Sequence, residues 1–482
     1  MQPKLTLLSN DLVSRVLDEA IQLLVSPGIK VQNEEARKLL LSSGAFSGPI
    51  QDVIRIPQFM VNEALRTAPH SFFLYDYFGN PIVHYGGDSV HFDPGSCGVS
   101  ILNPKTLEHK TTTTSDLIKL LQVVEGLPQY DAQSTMVTCD DVPKAVGDLY
   151  RLYLVLLHSV KPIVTGAFSN KNIDAMIEML AIFRDSASAS RLQPRAIFDV
   201  CPTPPLIWSN FACGNIMALA KAGIPAEIVS MPLAGVAAPV TLIGAVTQHA
   251  TECLAGIVIH QLAFAGSPIV WGGAPSIFDM RGGGTPLGAI ETAMIDCAYA
   301  QVGKRLGLPT HAYLSATESK IVDAQAGLES GISAIIGALS GINMISGAGM
   351  VNSLLCQSPE KLVIDAESIA MAHRLLHGIS TPTPTLATDF FEGINFQGGF
   401  LKQRITQQMY KVEQHLPSSV IDRGSHKSWQ DSGSMDAFAR ASIQVEKLIA
   451  SYKLPDLDPK KVSELTSFVR HQFEPYGSLP GG

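Results

Sequence analysis

Residues 226–272, AEIVSMPLAGVAAPVTLIGAVTQHATECLAGIVIHQLAFAGSPIVWG, carry the reading that decides the fold. A short apolar run, Ala226–Met231, leads into a loop of small residues and proline. A long helical pattern follows from Gly244 to Phe264, and Gly266 supplies a helix stop. A second short apolar run, Pro268–Gly272, then begins. Neither run alternates with polar residues, so each predicts a strand covered on both faces, as in a parallel sheet.

The same unit recurs on either side. Strands are expected at Asp131–Met136, Pro162–Gly166, Ala196–Cys201, Thr310–Leu314, Asn343–Ser346 and Lys361–Asp365, with helical patterns such as NKNIDAMIEMLAIFR (170–184) and LGAIETAMIDCAYAQVGKRLG (287–307) between them. Eight such units predict an α/β fold, a (β/α)8 TIM barrel, over residues 126–380. A doubly wound open sheet is the alternative, and no G-x-G-x-x-G follows a strand to support it. Residues 1–125 read as an N-terminal helical and mixed segment, in which YGGDSVHFDPGSCGVSILNP (85–104) resembles hairpin strands near the barrel mouth. Residues 381–482 read as a mostly helical C-terminal extension, with helices around 437–452 and 459–473.

Composition narrows the function class. Hydrophobic residues make up 46% of the 482 and charged residues 16%. That balance predicts burial between subunits as well as in cores, hence a homo-oligomer. A net charge of −8 with no basic run gives no footprint for nucleic acid. The seven cysteines are widely spaced and form no C-x-x-C pair, so no disulfide framework or zinc knuckle is indicated. No signal peptide or membrane-spanning helix is expected, which reads as a cytoplasmic protein.

In a barrel of this kind chemistry sits on the loops after the strands. Here those loops are CPTPPLIWSN (201–210), MPLAGVAAPVT (231–241), WGGAPSIFDMRGGGT (271–285), SATESKIVDAQAG (315–327) and GAGMVNS (347–353). Small residues dominate, and Trp208, Trp271, Phe278 and Tyr313 stand out as large rings. Rings around a cavity with few charges suit a quaternary ammonium, although each could equally fill the core. Asp279 and Arg281 could orient a loop and hold a carboxylate, or simply pair with each other. His311 could hydrogen-bond in the cavity or be a satisfied core histidine. Glu318, Lys320 and Asp323 could form an acid–base or Schiff-base site, as in a lyase using Lys320, or cap a helix. No histidine has zinc-ligand spacing, so no metal is expected, and no P-loop, G-x-S-x-G or H-E-x-x-H is present.

Residues 231–283 together with EEARKLLLSSGA (34–45), RIPQFMVNEALRTAPHSFFLYDYFGNP (55–81), FDPGSCGVSILNPKT (92–106), SATESKIVDAQAGLESG (315–331) and IDRGSHKSWQDSGSMDAFARA (421–441) resemble the corrinoid-dependent trimethylamine methyltransferase family. The resemblance implies a (β/α)8 barrel that moves a methyl group from a methylated amine to cobalt on a separate, cognate corrinoid protein, with no tightly bound cofactor of its own. The archaeal trimethylamine enzymes use pyrrolysine. This chain has only standard residues, so it resembles the non-pyrrolysine branch, which acts on quaternary amines such as glycine betaine. On that resemblance Trp271 and neighbouring rings would hold the N-methyl cation, and Arg281 would read an acidic tail. Trimethylamine-type transfer and a non-catalytic betaine-binding barrel stand as alternatives.

Overall fold

The computed structural model describes residues 2–184, 186–381, 385–392, 396, 397 and 399–480. Eight parallel strands close a barrel: β1 (His91–Pro94), β2 (Gln133–Ser134), β3 (Ile163–Thr165), β4 (Ala196–Val200), β5 (Ala226–Ser230), β6 (Ile269–Gly273), β7 (His311–Tyr313) and β8 (Met344–Ala348). Strands β2 to β6 form one continuous parallel ladder. A bridge from Trp271 to Thr310 joins β6 to β7, and β8 pairs in parallel with β1 through Met344–His91 and Ile345–Phe92. The Asp131 N–H donates to Phe92 O at 2.9 Å, which closes β1 against β2.

Each strand is followed by its helix: α1 (Thr114–Glu125), α2 (Gly147–His158), α3 (Asn170–Phe183), α4 (Asn210–Ala222), α5 (Leu242–Ala263), α6 (Ile290–Arg305), α7 (Ala324–Leu339) and α8 (Pro359–Leu376). Two expectations need correction. The first barrel strand is His91–Pro94, inside the stretch assigned to the N-terminal segment. Lys361–Asp365 is helical, the first turns of α8. A short apolar run does not by itself distinguish strand from buried helix. Here Lys361 and Asp365 stand one turn apart and form a buried pair, Nζ to Oδ2 at 2.5 Å.

Helix α5 explains why the N-terminal segment exists. It is buried around its whole circumference from Ala245 to Gln261, so it needs cover on every side. The helices Asn10–Val25 and Gln58–Thr67 lie on it from outside, while α4 and α6 flank it. By length and composition α5 could cross a bilayer, contrary to the sequence expectation, but most of it is buried inside the protein.

The strands alternate faces. Phe198, Ile228 and Trp271 join the large core under the helices, whereas Val164, Ile197, Val270 and Met344 point inward. A hairpin, Phe72–Tyr75 with Pro81–Tyr85, plugs the N-terminal end of the barrel by setting Leu74, Val83 and Tyr85 against those inward residues. Its backbone is tied to the loops before β4 and β3 by Tyr75 N–H to Pro194 O and Tyr77 N–H to Val160 O. In the C-terminal extension, the helix Ala437–Ser451 packs on α8 and α1, and Pro459–Phe473 packs on α2 and α3. The floor is dry and apolar, so the polar chemistry lies above it.

Candidate active site

The layer above the floor is unusually rich in acids. Asp93 on β1, Asp199 on β4 and Glu227 on β5 occupy inward positions, with His311 and Tyr313 on β7 and Ser346 on β8. The Tyr313 hydroxyl donates to Asp199 Oδ2 at 2.8 Å, and the Tyr85 hydroxyl to Glu227 Oε2 at 3.2 Å. The ring of His311 reaches two partners: Nε2 lies 2.9 Å from Ser346 Oγ and Nδ1 lies 3.0 Å from Glu227 Oε1. Ser346 in turn donates to Asp93 Oδ1. Five strands, β1, β4, β5, β7 and β8, thereby contribute to one cluster of side chains inside the barrel.

Burial decides the charge state of this layer. Glu227 and Asp199 are pushed up to about 8, Asp199 additionally by the negative potential of Glu227. Asp93 is raised well above the usual range, again mainly by burial. Burial pushes His311 down to about 4, so its imidazole is neutral. The contact between His311 and Glu227 is therefore one between neutral groups, because the interior penalises both charges. None of the eight strands carries a Lys or Arg. Asp199 keeps part of its surface accessible, whereas Asp93, Glu227 and His311 are fully enclosed.

Of the residues singled out in the sequence, His311 and Tyr313 belong to this layer. Their rings meet edge to face at 5.0 Å. Trp271 and Trp208 do not. Trp271 points outward under α6, donating from Nε1 to Tyr299 O at 2.9 Å, with Gly303 opposite; a Cβ there would stand 2.6 Å from Trp271 Cδ1. Trp208 lies under α5 and donates from Nε1 to Glu252 O at 3.2 Å. Both are core. The glycine after Trp271 has an internal reason instead: a Cβ at Gly272 would stand 2.9 Å from His311 Nδ1 and 3.2 Å from Glu227 Cγ. The strand lacks a side chain there so that the histidine and the glutamate can occupy the barrel.

The loop after β6 is braced rather than poised. Ser276–Ile277 pairs with Leu233–Ala234 of the preceding loop, and half-buried Phe278 extends that tie from its N–H to Ala234 O at 3.0 Å. Asp279 accepts from the Arg281 N–H at 3.0 Å and from Arg281 Nε at 3.3 Å, and the Arg281 side chain is 94% exposed. The Arg281 N–H and guanidinium hold the Asp279 carboxyl below its ordinary range. These two form the structural pair and stand outside the buried layer. In the loop after β7, Asp323 caps α7 by accepting from the Ala326 N–H, and Glu318 binds the Leu287 N–H and the Ser353 hydroxyl, joining three mouth loops. Lys320 is exposed, with Nζ 2.6 Å from Glu318 O, so the Schiff-base reading finds no buried amine there.

Sequence reasoning passed over Asp93, Asp199, Glu227, Ser346 and Tyr85. A signal was present for two of the acids: Asp199 and Glu227 each sit alone inside a short apolar run, AIFDV or AEIVS. A carboxyl inside a fully covered strand has to be paired or neutral.

A closed parallel barrel with a polar layer at the carboxyl ends of its strands defines a (β/α)8-barrel enzyme. Comparison with known proteins identifies which kind. The family model described as Trimethylamine methyltransferase (MTTB) matches residues 1–476, and the chain belongs to that family. It is thus a methyltransferase. It is 28% identical to the trimethylamine methyltransferase of Desulfitobacterium hafniense, over 95% of this chain and 92% of that one. The trimethylamine methyltransferase of Methanosarcina thermophila is 30% identical, covering 94% and 95%. The glycine betaine methyltransferase of Desulfitobacterium hafniense strain Y51 is 27% identical, covering 98% of each. In fold the chain is similar to the monomethylamine methyltransferase of Methanosarcina barkeri, with a TM-score of 0.55 at 12% identity over 94% of this chain and 89% of that one.

Proposed function

We propose that the protein takes a methyl group from a quaternary amine, glycine betaine or a related betaine, and transfers it to Co(I) of a cognate corrinoid protein. The observation that carries this reading is the interior itself: three inward carboxyl groups, the ring of Tyr313 beside the accessible one, and no basic side chain on any strand. Such an interior can take up a cation, because no strand cation opposes it and the carboxyl oxygens and the ring face present partial negative charge even when the acids are protonated. A quaternary ammonium donates no hydrogen bond, so it is held by negative potential and by ring faces rather than by matched acceptors. Kinship with proteins named for trimethylamine and for glycine betaine supports the same substrate class.

A quaternary ammonium already carries a neutral leaving group. The protein's part is then to hold the C–N bond in line with the cobalt, and positioning of that kind is worth several kcal/mol.

The test is spectroscopic. Purified protein is mixed with cob(I)alamin, and glycine betaine, carnitine, proline betaine and trimethylamine are offered in turn while methylcob(III)alamin is followed. Methylation by a betaine and not by trimethylamine is the expected result. Methylation by trimethylamine alone would favour tertiary-amine transfer. Binding of a betaine without transfer to either free cob(I)alamin or the native corrinoid protein would reduce the barrel to a binder.

A further inference from the structure

Asp199 and Glu227 are not merely near each other. They are register partners on the adjacent parallel strands β4 and β5, both turned into the barrel. Adjacent strands lie about 4.8 Å apart, so two carboxyl groups at one level meet side by side. Two carboxyl groups side by side at one level inside the barrel cannot both carry a charge, so the pair has to hold a proton. Their remaining oxygens are accounted for: Asp199 Oδ2 accepts from Tyr313, and Glu227 Oε2 accepts from Tyr85. Asp199 Oδ1 and Glu227 Oε1 are left with no hydrogen-bond partner. A further buried group is aimed at the pair. His311 Nδ1, fully enclosed, stands 3.0 Å from Glu227 Oε1 outside hydrogen-bonding geometry and has no other partner.

We propose that the Asp199–Glu227 pair rests protonated and that Asp199 delivers its proton to the amine left behind when the methyl group departs. The inference rests on the methyl transfer proposed above. In that step the C–N bond breaks with its electron pair staying on nitrogen, and a C–Co bond forms as Co(I) becomes Co(III). The product is a neutral tertiary amine, itself the nucleophile for the reverse reaction. The Asp199 O–H bond then breaks, an N–H bond forms, and the lone pair that would reclaim the methyl group is blocked. The ammonium product leaves and the carboxyl pair regains a proton from water.

The direction of transfer is favourable. An aliphatic amine ordinarily titrates near 10, above the value of about 8 to which burial pushes each acid. The titratable groups around the pair are Asp93 on β1, Cys201 beyond β4, His311 and Tyr313 on β7, and Tyr85 on the floor hairpin. Burial holds each of them in its neutral form, so none competes as a fixed charge. Asp199 is the donor because it is the accessible member; Glu227 is the positioning residue, held beside it on the adjacent strand.

Two readouts test this. Infrared difference spectra of the resting protein should contain protonated carboxyl bands that fade on titration near pH 8, one of them lost in Asp199→Asn and another in Glu227→Gln. Single turnovers with enzyme in excess, from about pH 6 to about pH 9, should give an on-enzyme equilibrium that favours methyl-cobalt below the titration and reverses above it. In Asp199→Asn that equilibrium should shift toward substrate by about a hundredfold and lose its pH dependence, while Asp199→Glu restores both. If Asp199→Asn does not fold, Glu227→Gln carries the same comparison. Wild-type transfer with an unchanged equilibrium and pH profile in the variants overturns the proton delivery and leaves the methyl transfer intact. Absence of transfer by the wild type, with either acceptor and every amine, overturns both.

Discussion

Tyr313 and Asp199, 114 residues apart in the chain, meet inside the barrel through a 2.8 Å hydrogen bond that joins β7 to β4. The pair combines the two properties a cation site needs, a ring face and an acid, and one of its members is accessible. Removing the hydroxyl separates their contributions. Tyr313→Phe leaves a buried carboxyl oxygen without its donor, so stability measured by denaturant should fall by about 1–3 kcal/mol. The ring face remains, and the KM for a quaternary amine should stay within about threefold. Tyr313→Ala removes the ring as well, and KM should rise by about tenfold or more.

Glu227→Gln tests the charge state of the layer. In the folded protein Glu227 titrates at about 8 against an ordinary 4.5. Its protonated form is thus favoured by folding: the contribution is present at low pH and is lost as pH rises through about 8. His311, depressed to about 4, acts the opposite way, but only below its ordinary 6.5. Between pH 6.5 and 8 the carboxyls alone govern the slope, and wild-type stability should fall with rising pH by at most about 1.4 kcal/mol per pH unit for each proton. Denaturant titrations of Glu227→Gln, which cannot ionise, should be flatter in that window. An equal slope would mean that Glu227 is ionised in the fold.

Trp271 gives a prediction about packing. As a fully buried ring between β6 and α6, its replacement by alanine should cost about 3–5 kcal/mol and lower the melting temperature accordingly. Trp271→Phe should fold and keep a KM for amine within about twofold. A large rise in KM with unchanged stability would return this ring to the substrate site.

Arg281→Ala should change little. The side chain is 94% exposed and bound to Asp279, outside the acid layer. Steady-state kinetics with a betaine and with a quaternary amine lacking a carboxylate should give wild-type KM values for both. A loss confined to the betaine would show that Arg281 reads its carboxylate.

Much of the barrel was legible because strands covered on both faces are short, largely apolar stretches between helical patterns, and seven of the eight strands overlap an expected one. The eighth failed in both directions for one reason. His91–Pro94 carries a histidine, an aspartate and a proline, so it reads as a turn, while Lys361–Asp365 is apolar between two charges that neutralise each other on a buried helix face. The site was less legible. Trp271 was conspicuous by size and by its glycines, yet Gly303 accommodates its ring and Gly272 serves His311 and Glu227 on the opposite face. Which way a strand residue points depends on register, and register is fixed by the closed sheet rather than by local sequence. The acids stand as single letters among their strand neighbours and are easily passed over.

The central claim is that a methyl group leaves a quaternary nitrogen for cobalt. The most direct measurement is a single turnover with glycine betaine labelled with 13C in its N-methyl groups, in the presence of the reduced cognate corrinoid protein. The account predicts one labelled methyl on cobalt for each N,N-dimethylglycine formed, with two labelled methyls retained on that product. Label confined to the amine, with the cobalt unmethylated under reducing conditions, would contradict it.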